Sequence, residues 1–274
     1  MSDKGTPVHF TYFISGVYFL APEEKDLYQP PRAPKGESKI GYSENADFVR
    51  LRIEQVMAAI SEGHEIASHA NGHFDGLKWS YEDWLQELKS FDSLVHNQLG
   101  AKSGLSLPVG LPKGFRAPEL AINPSAYRAL SELGYKYDVS RLGFMDSEPY
   151  KIYGDIWEFP LPTIYFGRLH QPVLAMDYSI FERQTQVKNV AKRGTELWQT
   201  LYDETLKAYL DYFNHNYSGS RAPVYMSNHF ALWNDGVYWQ VMKDFASTVC
   251  GKSEVKCVSY GELAEILPTS SVLK

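Results

Sequence analysis

The sequence predicts an α/β protein, most simply a (β/α) barrel formed by a single domain over residues 1–274. Short apolar segments rich in β-branched and aromatic residues alternate with longer segments of helical periodicity, and this alternation is typical of a parallel sheet. The polar motifs follow the ends of the predicted strands, which is where barrel enzymes carry their active sites. The chain has 274 residues and 44% hydrophobic content, enough to build one large core.

In the first half of the chain, strands are predicted at 8–14, 64–68, 114–118 and 135–139, and helices at 46–61, about 80–99 and 124–133. Ser80 and Asn123 are typical N-cap residues, and Pro124 is favoured at the first position of a helix. Residues 21–45 contain four prolines and many polar residues. We therefore expect a long ordered loop or lid there.

In the second half, strands are predicted at 157–160, 173–176, 224–227 and 255–258, and helices at 187–213, 236–249 and 260–266. The segment 187–213 is the longest helical pattern in the chain. The sequence contains no internal repeat and no low-complexity tract, so the alternation runs through to the last predicted helix.

Composition excludes two classes of partner. The net charge is -6, and the absence of a basic run or basic aromatic stripe argues against a nucleic-acid partner. The sequence also predicts no membrane span, because its apolar segments are shorter than the roughly 20 residues that a spanning helix needs. The 19 Tyr, 14 Phe and 6 Trp fit either a well-packed core or a groove in which aromatic faces stack on sugar rings.

Two cysteines, Cys250 and Cys257, lie close together in the sequence. They fit either two buried thiols or a disulfide that closes a small loop, and a disulfide would imply an oxidising compartment. The chain opens on a short polar segment without the apolar core of a signal peptide. If the disulfide forms, we expect a periplasmic or secreted protein.

The segment GHEIASHANGH at 63–73 places His69 and His73 four residues apart. On a helical turn this spacing puts both imidazoles on one face, and in a loop Gly72 would let the backbone curl so that the rings converge. Either arrangement can bind one metal ion, because neutral imidazole is the commonest protein ligand of zinc-like ions. A hydrolytic site also needs a third ligand and a base, and the sequence before His69 offers neither.

Three further motifs follow in order: FRAPE at 115–119, YDVS at 137–140 and SNHF at 227–230. With the histidine segment, their order and spacing resemble the polysaccharide deacetylase family (the NodB-homology domain, carbohydrate esterase family 4) over about residues 8–267. The resemblance implies a distorted (β/α) barrel that uses a divalent metal, most often zinc with cobalt or nickel as alternatives. It also implies an N-acetylated polysaccharide or oligosaccharide as the partner, whose N-acetyl groups are removed by hydrolysis.

Carried onto this chain, the resemblance implies that His69 and His73 bind the metal. It implies that Arg116 orients the catalytic base and that His229 is the general acid. We expect four residues to contribute to substrate binding: Glu119, Asp138, Asp177 and Trp233. The backbone N–H of Glu119 would help to stabilise the oxyanion, whereas Trp233 could equally serve only to pack the core.

The chain departs from the family pattern in its first motif, because the expected aspartates are absent. We therefore expect it to lack the first strand and helix of the barrel and to be less stable than an N-terminally extended form. Asp75, Asp138 and Asp177 are the carboxylates that could supply the missing ligand. Glu119 stands where the family has an aromatic residue. Two alternatives stay open: an impaired relative that binds polysaccharide without turnover, or a hydrolase of a small cyclic amide.

Overall fold

The structure is a computed structural model of the chain and describes residues 7–103, 114–167 and 171–268. The strands are β1 (Thr11–Ile14), β2 (Glu65–Ser68), β3 (Gly114–Phe115), β4 (Tyr137–Asp138), β5 (Leu142–Phe144), β6 (Tyr150–Tyr153), β7 (Ile156–Glu158), β8 (Leu161–Phe166) and β9 (Gln171–Leu174). The helices are α1 (Ala46–Ser61), α2 (Tyr81–Ser103), α3 (Pro124–Glu132), α4 (Asp177–Thr185), α5 (Glu196–Ser218), α6 (Trp233–Val249) and α7 (Tyr260–Ile266).

The chain divides into two compact units, each with its own sheet. The larger unit comprises His9–Arg141, Tyr150–Phe159 and Val258–Lys274, and the smaller comprises Met1–Val8, Leu142–Pro149 and Pro160–Cys257. A single domain over residues 1–274 stays a prediction.

The larger unit is built on a six-stranded sheet in the order β1-β2-β3-β4-β7-β6. The first five strands run parallel, and β6 pairs antiparallel with β7. The pairing aligns Ile14 with Ser68, Ser68 with Phe115, Phe115 with Asp138 and Asp138 with Glu158. The carboxyl ends of these strands therefore share one edge, and the residues that follow them lie along it.

The helices of the larger unit follow the sequence prediction closely. Helix α1 spans the predicted residues and is capped by Asn45, whose side chain accepts hydrogen bonds from the backbone N–H groups of Asp47 and Phe48. The Asn123 side chain caps α3 in the same way, through the N–H of Ala126. Trp84 of α2 is fully buried, as expected for the apolar face of a helix packed on a sheet.

The predicted loop at 21–45 contains one short 3₁₀ helix, Pro22–Leu27, and is otherwise irregular. Tyr28 follows this helix and is fully buried among the core side chains of the larger unit. The loop is therefore ordered, as predicted, whereas its role as a lid stays a prediction. Among the described residues, no helix is both long enough and apolar enough to cross a membrane.

In the smaller unit, β8 pairs parallel with β5 and antiparallel with β9. Helices α4, α5 and α6 contribute the buried side chains of its core, including Phe181, Tyr209 and Val241. A disulfide joins Cys250, just after α6, to Cys257. Of the two alternatives for the cysteine pair, the structure therefore has the disulfide and not two buried thiols.

The predicted helix at 187–213 is wrong in its first third. Helix α5 begins at Glu196, where the Thr195 side chain accepts a hydrogen bond from the N–H of Trp198, and residues 187–195 are irregular. Val187 and Val190 are 43% and 55% exposed, so these apolar residues do not form the buried face that their spacing suggests. The predicted strands at 224–227 and 255–258 are reduced to single bridges, at Ser227 and Cys257.

Candidate functional site

The histidine pair lies in a loop at the carboxyl end of β2 and not on a helical turn. The ring centroids of His69 and His73 are 5.1 Å apart. Ala70 and His73 adopt left-handed backbone angles, with φ of 54° and 57°. Gly72 is needed for close packing, because a Cβ there would lie 2.6 Å from the Phe74 ring and 2.8 Å from the Tyr28 ring. The loop thus brings both imidazoles within reach of one ion.

A backbone carbonyl orients the first imidazole. The Nδ1 of His69 lies 2.8 Å from the carbonyl oxygen of Arg116, which can only accept a hydrogen bond. Nδ1 therefore carries the proton, and the lone pair of the ring is on Nε2. Metal-binding histidines typically donate their second ring N–H in this manner, so the hydrogen bond supports the proposed role of His69.

Arg116 and Glu119 follow β3 on the same edge of the sheet. The backbone N–H of Arg116 donates to the carbonyl of Ser68, and its guanidinium lies 5.9 Å from the centre of the Phe13 ring. Glu119 is exposed, and its φ of 55° turns the backbone sharply within the segment Pro118–Leu120. The structure therefore places Arg116 beside the histidine loop, and Glu119 at the surface that follows.

The residues present fit two ligands of a metal ion but do not complete a catalytic site. Asp75, one of the candidates for a third ligand, accepts a hydrogen bond from the backbone N–H of Leu77. Across residues 7–103, 114–167 and 171–268, three or more His, Cys, Asp or Glu side chains nowhere gather in a metal-binding arrangement. Catalytic zinc sites use three protein ligands, so the described residues lack the third ligand.

Asp138 lies in a buried carboxyl network with Glu158. The Tyr127 hydroxyl is 3.2 Å from Oδ2 of Asp138 and 3.1 Å from Oε2 of Glu158, and Ser140 Oγ donates to Oδ1 of Asp138 at 2.6 Å. Burial raises the pKa of Glu158 to about 10, and the neighbouring Asp138 carboxylate adds to this rise. Asp138 is fully buried. Asp138 is therefore part of a buried hydrogen-bond network, and its expected contact with substrate stays a prediction.

In the smaller unit, Asp177 and His229 form a hydrogen-bonded pair. Asp177 Oδ1 lies 2.7 Å from His229 Nδ1, and Oδ2 accepts the His229 backbone N–H at 2.8 Å. Asp177 is buried, whereas the His229 side chain is 50% exposed. Both Asp177 oxygens therefore orient His229, and the expected contact of Asp177 with substrate or metal stays a prediction.

Aromatic side chains surround this pair. Trp233 stacks on Phe181 with ring centroids 5.0 Å apart, and its ring lies 5.3 Å from that of His229. Phe230, which follows His229, is 68% exposed. Trp233 therefore packs on the core of the smaller unit and also lines the surroundings of His229, so both expectations for it remain compatible with its position.

Sequence reasoning missed a buried carboxyl group beneath the histidine loop. Glu87 of α2 is fully buried and accepts hydrogen bonds from the Tyr28 hydroxyl and the backbone N–H of Asn71. Burial raises the pKa of Glu87 to about 7 and also raises the pKa of Tyr28. No sequence motif could reveal this contact, because Tyr28 and Glu87 are separated by 59 residues.

Comparisons with known proteins bear on the fold. Neither a protein-family model nor a curated protein matches the sequence. A protein of Mycobacterium smegmatis assigned as a polysaccharide deacetylase matches with 18% identity and a TM-score of 0.59, over 96% of this chain and 72% of its own. A probable polysaccharide deacetylase from Pseudomonas aeruginosa PAO1 matches with 17% identity and a TM-score of 0.51, over 92% and 72%.

A third solved structure, the PuuE allantoinase, is 15% identical with a TM-score of 0.51, over 80% of this chain and 64% of its own. These likenesses show the fold. The chain has the fold of the polysaccharide deacetylases, and this confirms the predicted class, a distorted (β/α) barrel of that type.

Proposed function

We propose that this chain is a hydrolase that removes N-acetyl groups from amino-sugar polymers such as chitin oligomers or peptidoglycan. The observation that carries the proposal is the His69 and His73 pair at the carboxyl edge of a parallel sheet, with the His69 ring oriented by a carbonyl. We propose a divalent ion on this pair, most often zinc with cobalt or nickel as alternatives, because imidazole suits these metals. A bound ion would lower the pKa of its water to roughly 7.

The other residues of the larger unit act around the carbonyl group of the substrate. Arg116 would orient the catalytic base, since Arg116 follows β3 and its backbone carbonyl binds the His69 ring. The backbone N–H of Glu119 would donate to the oxyanion that forms when water adds to the acetamide carbon. The position of both residues after β3 supports these roles.

His229 would act as the general acid. Its Nε2 donates a proton to the amide nitrogen as the carbon–nitrogen bond breaks, so that the products are acetate and a free amine. Asp177 keeps the Nδ1 proton in place and thereby fixes which nitrogen can exchange. Trp233, next to His229, would offer part of its ring to the sugar.

Acetate release from N-acetylglucosamine oligomers, measured with and without added zinc or cobalt, tests this proposal. The parent chain should release acetate only with metal, and the His69→Ala/His73→Ala variant should release none. His215→Ala is the matched control, because His215 is an exposed histidine on α5. Release that is equal in all three proteins would contradict the proposal.

A second candidate is a relative that binds polysaccharide without turnover. It is favoured by the ligand count, since the part of the chain that the structure describes offers two metal ligands where a catalytic site uses three. Oligomer binding by calorimetry, together with no acetate release at any metal concentration, would decide for it. For either function we propose a periplasmic or secreted location, because the Cys250–Cys257 disulfide needs an oxidising compartment.

A further inference from the structure

The backbone of the histidine loop is held at each residue between its two imidazoles. The carbonyl of Ala70 accepts the N–H of Gly16 at 3.0 Å, and the carbonyl of Gly72 accepts the N–H of Lys39 at 2.8 Å. The N–H of Ala70 donates to the Ser68 hydroxyl of β2, and the N–H groups of Asn71 and Gly72 donate to the buried side chains of Glu87 and Tyr28. The loop therefore depends on partners that come from other elements of the larger unit.

Glu87 is the partner of Asn71. Its Oε1 accepts the Asn71 backbone N–H at 2.9 Å, and its own backbone carbonyl accepts the Asn71 side-chain amide at 2.9 Å. Two hydrogen bonds from a single residue of α2 thus fix both the main chain and the side chain of Asn71. Because Glu87 is fully buried, water does not compete for these bonds.

Tyr28 connects Glu87 to the next residue of the loop. Its hydroxyl donates to the Glu87 carboxyl group, with oxygen distances of 3.0 and 2.9 Å, and accepts the Gly72 N–H at 3.2 Å. Its ring occupies the space that a side chain at position 72 would need. The proline-rich segment 21–45 therefore supplies a side chain that supports the backbone of the histidine loop.

This support is needed because the loop is strained. Ala70 and His73 are both in the left-handed region, which residues other than glycine adopt only when their surroundings impose it. The angles at His73 set the direction of its ring. A loop that relaxes would therefore separate the two imidazoles.

We propose that Tyr28 and Glu87 are positioning residues: by holding Asn71 and Gly72, they present the imidazoles of His69 and His73 to the same metal ion. This inference rests on the proposed function of the pair as metal ligands. It assigns the segment 21–45 a role in building the site.

The test compares Tyr28→Phe, which removes the hydroxyl and keeps the ring, with Glu87→Leu, which removes the carboxyl group that accepts the Asn71 N–H and the Tyr28 hydroxyl. Amide hydrogen exchange of residues 69–73 is measured in the metal-free proteins, and zinc affinity by competition with a chelator of known affinity. We expect both variants to speed exchange at Asn71 and Gly72 and to weaken zinc binding by about 10- to 100-fold, as is usual when the support of a metal ligand is removed.

Tyr127→Phe is the matched control, because it removes another buried hydroxyl bonded to carboxyl groups in the same unit. It should lower the melting temperature without changing exchange at 69–73 or zinc affinity. The inference is overturned if Tyr28→Phe lowers the melting temperature as the control does and leaves both exchange and zinc affinity at parental values. If the parent binds no zinc, the proposed metal site fails, and the exchange measurement still decides whether Tyr28 and Glu87 hold the loop.

Discussion

The buried carboxyl pair makes a quantitative prediction about stability and pH. Burial and the adjacent Asp138 raise the pKa of Glu158 from 4.5 to about 10. The folded chain therefore keeps a proton that the unfolded chain releases above its ordinary pKa. Folding takes up a proton across this range, so the free energy of unfolding falls as the pH rises.

The size of the effect follows from the number of protons involved. One proton corresponds to about 1.4 kcal/mol per pH unit, so between pH 4.5 and neutrality the proton that this buried carboxyl pair keeps removes about 3 kcal/mol of stability. Glu158→Gln replaces a carboxyl group that is protonated in the fold with a neutral amide of the same shape. The amide can still accept the N–H of Arg141 and contact the Tyr127 hydroxyl.

The assay is denaturant unfolding of parent and variant at several values from about pH 5.5 to about 8.5. The stability of the variant relative to the parent should rise by about 1.4 kcal/mol for each pH unit. Glu54→Gln is the control, because Glu54 is exposed on α1 and changing it should leave the difference nearly flat. If the difference in unfolding free energy between Glu158→Gln and the parent also stays constant with pH, the prediction that the fold keeps this proton is refuted.

Three further predictions concern the site and its support. His229→Asn should lower kcat for acetate release by about 10²- to 10⁴-fold with little change in KM, and a parental kcat would remove His229 from the mechanism. Gly72→Ala should destabilise the chain by about 1–3 kcal/mol in thermal denaturation, because the new Cβ would lie 2.6 Å from the Phe74 ring; an unchanged melting temperature would show that the loop yields. Replacing Cys250 and Cys257 with serine should cost about 2–3 kcal/mol, and reductant should then lower the melting temperature of the parent alone.

The elements that could be predicted are those that local signals define. Helix α1 has the predicted bounds because its apolar residues repeat at helical spacing and are buried on one face. The start of α3 was predicted from Asn123 and Pro124, which act within a few residues of themselves. The start of α5 was not, because Val187 and Val190 have helical spacing but are exposed in an irregular segment.

The sequence by itself determined the α/β class, most helix positions and the histidine pair, since periodicity, caps and motif spacing are properties of neighbouring residues. Only the tertiary structure decided that Asp177 holds His229, across 52 residues, and that Glu87 holds the histidine loop. It also placed Asp138 in a buried network with Glu158, through the hydroxyl of Tyr127. Such pairs are set by strand register and by the packing of helices on the sheet, and the spacing of residues along the chain carries no record of them.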